Sequence, residues 1–196
     1  MTLGDLEEAH KTYYHLYEKG QSMKDTGIIF MSLYSLGQIY NEEKEYESAI
    51  QTFTDLKEFQ KEISERKHSN ELLTDYELTE AYIKTEQYNK AKKLAQAAIN
   101  RLDTIKVESF KPDFLLFKGE IALVEGDLTT ANKVIEEVQQ ILIKAPDPMT
   151  SNNAQLLYAK VLSEQDEYES ALYLYCLLYT SPSPRDATLS RMPSSA

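Results

Sequence analysis

The sequence predicts an all-α chain of antiparallel helical hairpins stacked in series, and three observations carry the prediction. Helix breakers are scarce, with 6 Gly and 6 Pro in 196 residues; an interior Gly costs a helix roughly 1 kcal/mol and a Pro roughly 3. Apolar residues recur at helical rather than alternating spacing, between short polar interruptions. One motif, a short polar turn followed by an aromatic or Leu, two residues and an Ala, returns five times along the chain.

Aligning that motif sets the repeat. Gly4-Asp5-Leu6-Glu7-Glu8-Ala9 matches Lys44-Glu45-Tyr46-Glu47-Ser48-Ala49, then Glu86-Gln87-Tyr88-Asn89-Lys90-Ala91. Gly126-Asp127-Leu128-Thr129-Thr130-Ala131 and Asp166-Glu167-Tyr168-Glu169-Ser170-Ala171 complete the series. The alanines Ala9, Ala49, Ala91, Ala131 and Ala171 stand 40, 42, 40 and 40 residues apart. A period of this length marks a repeat architecture in which each unit is one helical hairpin.

Periodicity and punctuation then place the elements in order. Helices are expected over 4–21, 26–42, 45–66, 69–85, 87–107, 110–125, 127–144, 150–165 and 167–175. Residues 4–21 read as the second helix of a hairpin whose first helix is absent, so Met1 is expected to be an internal methionine of a longer chain. Asn41–Lys44, Lys84–Gln87 and Glu125–Asp127 are the short polar turns that helical hairpins need. Pro112 falls in the first turn of its helix, where the missing N–H is harmless. Ala145-Pro146-Asp147-Pro148 separates two hairpins, and Thr150 or Ser151 can cap the helix that follows.

Two columns stay small. Gly37, Thr79, Gly119 and Ala159 fall where the first helix of each hairpin meets the second, and the five alanines fall on the facing side. Close helix approach leaves no room there, since overpacking costs roughly 1–3 kcal/mol. Larger residues in two further columns (Leu6, Tyr46, Tyr88, Leu128 and Tyr168; Tyr13, Phe53 and Tyr175) are expected to fill the space between consecutive hairpins.

These columns resemble the tetratricopeptide repeat, abbreviated TPR, over residues 1–175. Its pattern places L-G-x-x-Y in helix A and aromatic-x-x-Ala-x-x-x-aromatic in helix B. Leu36-Gly37-Gln38-Ile39-Tyr40 carries the first part, and Tyr46, Ala49 and Phe53 the second. The next copy has Leu78, Thr79 and Tyr82 with Tyr88 and Ala91. The third keeps Gly119 and Ala131 but has Lys118 where Leu is usual, and the fourth has Ala159, Tyr168, Ala171 and Tyr175. No copy keeps the Trp of helix A or the closing Pro. The resemblance implies a TPR-like α-solenoid of antiparallel hairpins in a right-handed superhelix. The period, longer than the common 34, is similar to that of repeats in bacterial signalling proteins, including LuxR-type regulators, sensor kinases and pheromone-responsive regulators.

The resemblance also implies a binding face, because helix A residues line the concave side in this family. Carried onto this register, the lining is Met31, Tyr34, Gln38, Asn41 and Glu42, then Leu73, Tyr76, Glu80, Ile83 and Lys84. The third repeat gives Asp113, Leu116, Glu120, Leu123 and Val124, and the fourth Asn153, Leu156, Lys160, Ser163 and Glu164. Five acids against two lysines, among apolar and aromatic groups, suit a peptide or helix with apolar anchors and some basic character. The Lys/Asn carboxylate clamp of chaperone-tail binders is absent, since Tyr34, Gln38, Asn41, Tyr76 and Glu80 occupy those positions.

Composition excludes other classes. A net charge of −11 opposes nucleic-acid binding, which needs a basic face. No apolar run approaches the roughly 18 residues of a membrane span, and no signal-peptide pattern opens the chain. One cysteine, Cys176, makes neither a disulfide framework nor a thiolate metal site, and a reducing cytoplasm is the expected compartment. His10, His15 and His68 lack metal-ligand spacing. No phosphate loop or nucleophile–base arrangement appears, and Glu42-Glu43 and Glu136-Glu137 fall on faces expected to be solvated, so no enzyme and no cofactor is expected. The leading expectation is the ligand- or partner-binding segment of a larger bacterial regulatory protein. A stand-alone assembly scaffold, or the substrate-recognition region of an enzyme, stays open, as does self-association through exposed terminal repeats.

From Cys176 the chain turns Ser/Pro-rich and aperiodic. Cys176–Asp186 and Ser190–Ala196 resemble the in-frame translation of the two ends of a transposase-type sequencing adapter, with Ala187, Thr188 and Leu189 at its barcode. Residues 176–196 are therefore expected to be a non-native disordered tail, cutting the last hairpin in its second helix. That tail holds Arg185, Arg191 and Asp186, a net +1, leaving −12 on residues 1–175.

Overall fold

The computed structural model of the chain describes residues 3–63, 68–107 and 109–180. Among these are nine helices: α1 (Leu3–Met23), α2 (Thr26–Glu42), α3 (Tyr46–Glu62), α4 (His68–Lys84), α5 (Tyr88–Ile105), α6 (Lys111–Val124), α7 (Leu128–Lys144), α8 (Pro148–Glu164) and α9 (Tyr168–Thr180). Each expected helix is present. α3 ends at Glu62, with Ile63 extended, short of the expected 66; residues 64–66 lie outside the described residues. α9 runs to Thr180 rather than stopping at 175, because Leu177 and Leu178 are good helix formers and no breaker precedes Pro182. The expected disorder therefore does not hold for residues 176–180; the rest of that tail lies outside the described residues.

The chain divides into two compact units, Met1–Phe117 and Lys118–Ala196, with the division inside α6. In the first, α1 packs on α2, α2 on α3, α3 on α4 and α4 on α5, with a further contact between α2 and α4. In the second, α7 packs on α8 and α8 on α9. Sequential neighbours touching is what a solenoid of hairpins requires.

The hairpin turns share one backbone device. Lys44, Glu86, Gly126 and Asp166, which occupy one column of the repeat, all take the left-handed conformation, with φ of 62°, 58°, 77° and 63°. The residue after each donates its N–H back five positions: Glu45 to Tyr40, Gln87 to Tyr82, Asp127 to Ala122 and Glu167 to Leu162, at 2.8–2.9 Å. This is the Schellman ending, which satisfies the last carbonyls of helix A. Lys24 (φ 54°) ends α1 the same way, with Asp25 N–H on the Gly20 carbonyl at 3.0 Å. Only Gly126 adopts this conformation without a Cβ, and a Cβ there would meet nothing within 4 Å. Gly126→Ala should therefore destabilise by about 1 kcal/mol through backbone strain alone, read as a lower urea midpoint. Lys44→Gly should shift the midpoint the other way by less, since glycine also gains entropy in the unfolded chain.

Aspartates start three helices. Asp25 accepts from the Gly27 and Ile28 amides at 3.0 Å, and Asp127 from Thr130 at 3.0 Å. Asp147, not Thr150 or Ser151, caps α8: it accepts from the Thr150 amide at 2.7 Å, and Pro148 sits in the first turn. Proline at that position needs no N–H partner, so the helix begins two residues earlier than expected. Hydrogen bonds from Thr150 hold the Asp147 carboxyl below its ordinary pKa.

Both small columns are buried except at Ala9. Ala49, Ala91 and Ala131 are fully enclosed and Ala171 nearly so, as are Thr79 and Ala159; Ala9 is half-buried. A Cβ on Gly37 would lie 2.5–2.8 Å from three ring atoms of Phe53, and one on Gly119 2.6 Å from Leu157. Phe30, Ala49, Phe53, Leu56 and Leu78 form the first unit's main cluster, with Tyr40, Ile50 and Tyr82 packed on it. The outer column is less enclosed than expected: Leu6, Tyr46, Tyr88 and Leu128 are half-buried, and Tyr168 is 63% exposed. No described helix follows α9 to cover it.

Candidate functional site

In the first unit, the helix A face brings α2 and α4 together around a residue the sequence reading missed. Glu77 is buried. Its Oε1 accepts from the Tyr34 hydroxyl at 2.9 Å and from Gln38 Nε2 at 2.8 Å, while Oε2 accepts from Asn41 Nδ2 at 3.2 Å. Three neutral donors thus replace the water that a buried carboxylate loses, which is what makes its burial tolerable. Asn41 Oδ1 is buried with no hydrogen-bond partner among the described residues. Three residues expected to line a groove therefore spend their polar ends tying one repeat to the next.

Tyr34 and Tyr76 make this face aromatic. Tyr34 stacks on Phe30 (centroids 5.8 Å apart) and meets Phe53 edge-on at 6.0 Å. Tyr76 leans on Phe117 at 4.9 Å and on Phe114 at 6.4 Å. Burial raises both phenol pKa values, first by desolvation; Glu77 adds to the shift at Tyr34, and Glu80, Asp113 and Glu77 add to it at Tyr76. Both hydroxyls stay protonated donors, and the potential around them is negative.

The remaining expected lining residues divide by exposure. Met31 is 58% exposed, and Glu42 and Lys84 are exposed; Leu73, Glu80 and Asp113 are half-buried. Ile83 and Leu116 are buried: their helical phase turns them into the core, so they pack and do not line a surface. In the second unit, Asn153, Leu156, Val124 and Glu164 are exposed, and Leu123, Ser163, Glu120 and Lys160 are half-buried. Lys160 Nζ lies 3.6 Å from Glu120 Oε1, so a cation and an acid expected to face a ligand face each other.

A second charged cluster lies among α3, α4 and α5. Asp75, 1% exposed, accepts from Lys57 and from Arg101 at 3.2 Å, and Arg101 also reaches Glu71 at 3.4 Å. The sequence held a signal for both buried acids. Glu77 stands in a column that otherwise holds Ser35, Phe117 and Leu157, and Asp75 in one that holds Leu33, Leu115 and Gln155. An acid in a half-apolar column needs partners if it is to be buried.

Among the described residues there is no group of three His, Cys, Asp or Glu able to hold a metal ion. His10 instead contacts the Tyr40 hydroxyl at 2.9 Å, His15 approaches Glu18 at 4.0 Å, and the His68 side chain lies outside the described residues. Glu42-Glu43 and Glu136-Glu137 are exposed, as expected. No described helix is long and apolar enough to cross a membrane.

Solved structures identify the architecture. The chain is similar to a putative kinesin light chain from Podosopora anserina with nearly identical TPR-like repeats (TM-score 0.56, 15% identity, 96% of this chain and 98% of that one). A single-substitution form of that protein matches with a TM-score of 0.59, again at 15% identity, over 96% and 97% of the two chains. The fold is TPR-like. No protein-family model matches the chain, and no curated protein does. At this identity the likeness speaks for the hairpin architecture alone.

Proposed function

We propose that the chain is a protein- or peptide-binding TPR-like scaffold, and that its ligand is a peptide or helix with apolar anchors and basic groups. The observation that carries this reading is the helix A face of the first unit, where Tyr76 lies among Glu77, Glu80 and Asp113 while Met31 stands exposed on the same helix as Tyr34. Aromatic and methionine surface supplies apolar contact, and clustered carboxylates select a cationic partner and speed its encounter. Gln38 and Asn41 hold Glu77 and so shape the face, leaving Met31, Leu73, Tyr76, Glu80 and Asp113 as its contact residues. In the wider reading this is the partner-binding segment of a bacterial regulatory protein, supported by the 40–42-residue period.

An array of peptides varied in charge and aromatic content tests the proposal. Basic peptides carrying Leu, Phe or Tyr should be retained, with affinity falling as salt rises, and Glu80→Lys should weaken them about tenfold or more. Preferred retention of acidic peptides would overturn it.

A further inference from the structure

Glu77 joins α4 to α2 through hydrogen bonds from neutral donors alone. We propose that Glu77 is the specificity determinant of the helix A face. Its buried carboxylate selects a ligand bearing a cationic hydrogen-bond donor, a lysine ammonium or an arginine guanidinium, which enters where Tyr34 and Asn41 border it. The inference rests on the reading of this face as a peptide site, and names the group that reads the peptide's charge.

Two buried acids of α4 are treated differently. Asp75 has two cations, Lys57 and Arg101. Glu77, 8% exposed, has Tyr34 at 2.9 Å, Gln38 at 2.8 Å and Asn41 at 3.2 Å. Neutral donors offset part of what a carboxylate loses on leaving water, but they leave its charge in place. An ion is a poor choice merely to fasten α2 to α4, because apolar groups of similar volume serve as well or better. The same column holds Phe117 and Leu157 in later copies.

The network is also short of donors. Gln38 Nε2 serves both Glu77 and the Tyr34 hydroxyl, 3.4 Å away, and the Tyr34 proton goes to Glu77. Asn41 Oδ1 belongs to the amide that serves Glu77, yet it is buried and accepts from nothing among the described residues. A buried acceptor normally finds a donor. What the network lacks is positive charge and N–H groups, and ammonium and guanidinium carry both with no acceptor of their own. Access runs along Tyr34, Gln38 and Asn41, each half-buried. The charge reaches that edge: after desolvation, Glu77 contributes most to raising the Tyr34 phenol pKa, and it adds to Glu80 and Asp113 at Tyr76. Met31, exposed and three residues before Tyr34 on α2, sets apolar contact beside the same spot.

The test uses the full chain and two end-blocked pentapeptides, Ala-Leu-Lys-Tyr-Ala and its counterpart with norleucine for lysine, titrated by NMR. Sodium chloride at about 0.5 M screens the more exposed Glu80 and Asp113. The lysine peptide should bind about tenfold or more tighter than the norleucine peptide, and Glu77→Gln should remove most of that preference while norleucine binding persists. Glutamine keeps the size and an acceptor oxygen, and unchanged circular dichroism checks the fold. In the unaltered chain, the Glu77 carboxyl carbon resonance should move with the lysine peptide and stay with norleucine, a readout that a merely structural carboxylate would not give. A lysine preference that survives Glu77→Gln, or a Glu77 resonance indifferent to lysine, would overturn the proposal. Equal binding of both peptides by the unaltered chain would overturn it and leave the peptide site standing. If neither peptide bound at millimolar concentration, the peptide site would fall and this inference with it.

Discussion

Replacing both Lys57 and Arg101 by Met should lower stability by roughly 3–5 kcal/mol, because Asp75 would be left as an uncompensated buried charge. The carboxylate is 1% exposed, while the two cations keep 27% and 31% of their side-chain surface in water. That asymmetry decides the order of effects. Either cation alone can still neutralise Asp75, so each single replacement should cost only about 1.5–3 kcal/mol, the worth of a hydrogen bond to a charged group. Adding Asp75→Leu to the double variant should recover most of the loss, as an apolar trio tolerates burial. Urea midpoints of the four chains read the series. If the double variant fell no further than the worse single, the cluster would not be holding α3, α4 and α5 together.

The second large effect is expected where helices approach most closely. A Cβ at Gly37 would sit 2.5 Å from Phe53 Cζ, and Phe53 is fully buried with no room to withdraw. Overpacking costs roughly 1–3 kcal/mol against a gain of about 1 from replacing glycine in a helix. Gly37→Ala should therefore destabilise by up to about 2 kcal/mol. The next hairpin has Thr79 and Ala95 in the same two columns, both buried, so the bulk sits on the other helix. Gly37→Thr combined with Phe53→Ala should accordingly be milder than Phe53→Ala alone, which opens a cavity worth roughly 3–5 kcal/mol. In the alanine column, Ala91→Leu should cost about 1–3 kcal/mol and Lys92→Leu, exposed one residue away, almost nothing. Equal tolerance of the two would contradict the register.

Those expectations were legible because periodicity encodes which columns face a neighbour. The turns, the small columns and the helix ends follow from spacing and breaker placement alone, and the structure departs from them by a few residues. Asp147 took the cap expected of Thr150 because Pro148 can occupy a first turn. What spacing does not encode is the pairing of individual polar groups across repeats. Tyr34, Gln38 and Asn41 have the right phase for a groove, yet their partner is Glu77, 36 to 43 residues away. A register assigns Glu77 and Asp75 to columns but does not say which side chains converge on them. Ile83 and Leu116 show the complementary failure, since a groove position and a core position can lie within one residue's rotation on the same helix.

The functional claim is that ligand binds over Met31, Leu73, Tyr76, Glu80 and Asp113. Amide shift mapping during titration with a basic, tyrosine-containing peptide tests it most directly. The account predicts that the largest shifts cluster on those five residues and shrink in Glu80→Lys. Shifts concentrated instead on helix B residues such as Gln51 and Lys93, exposed on α3 and α5, would contradict it.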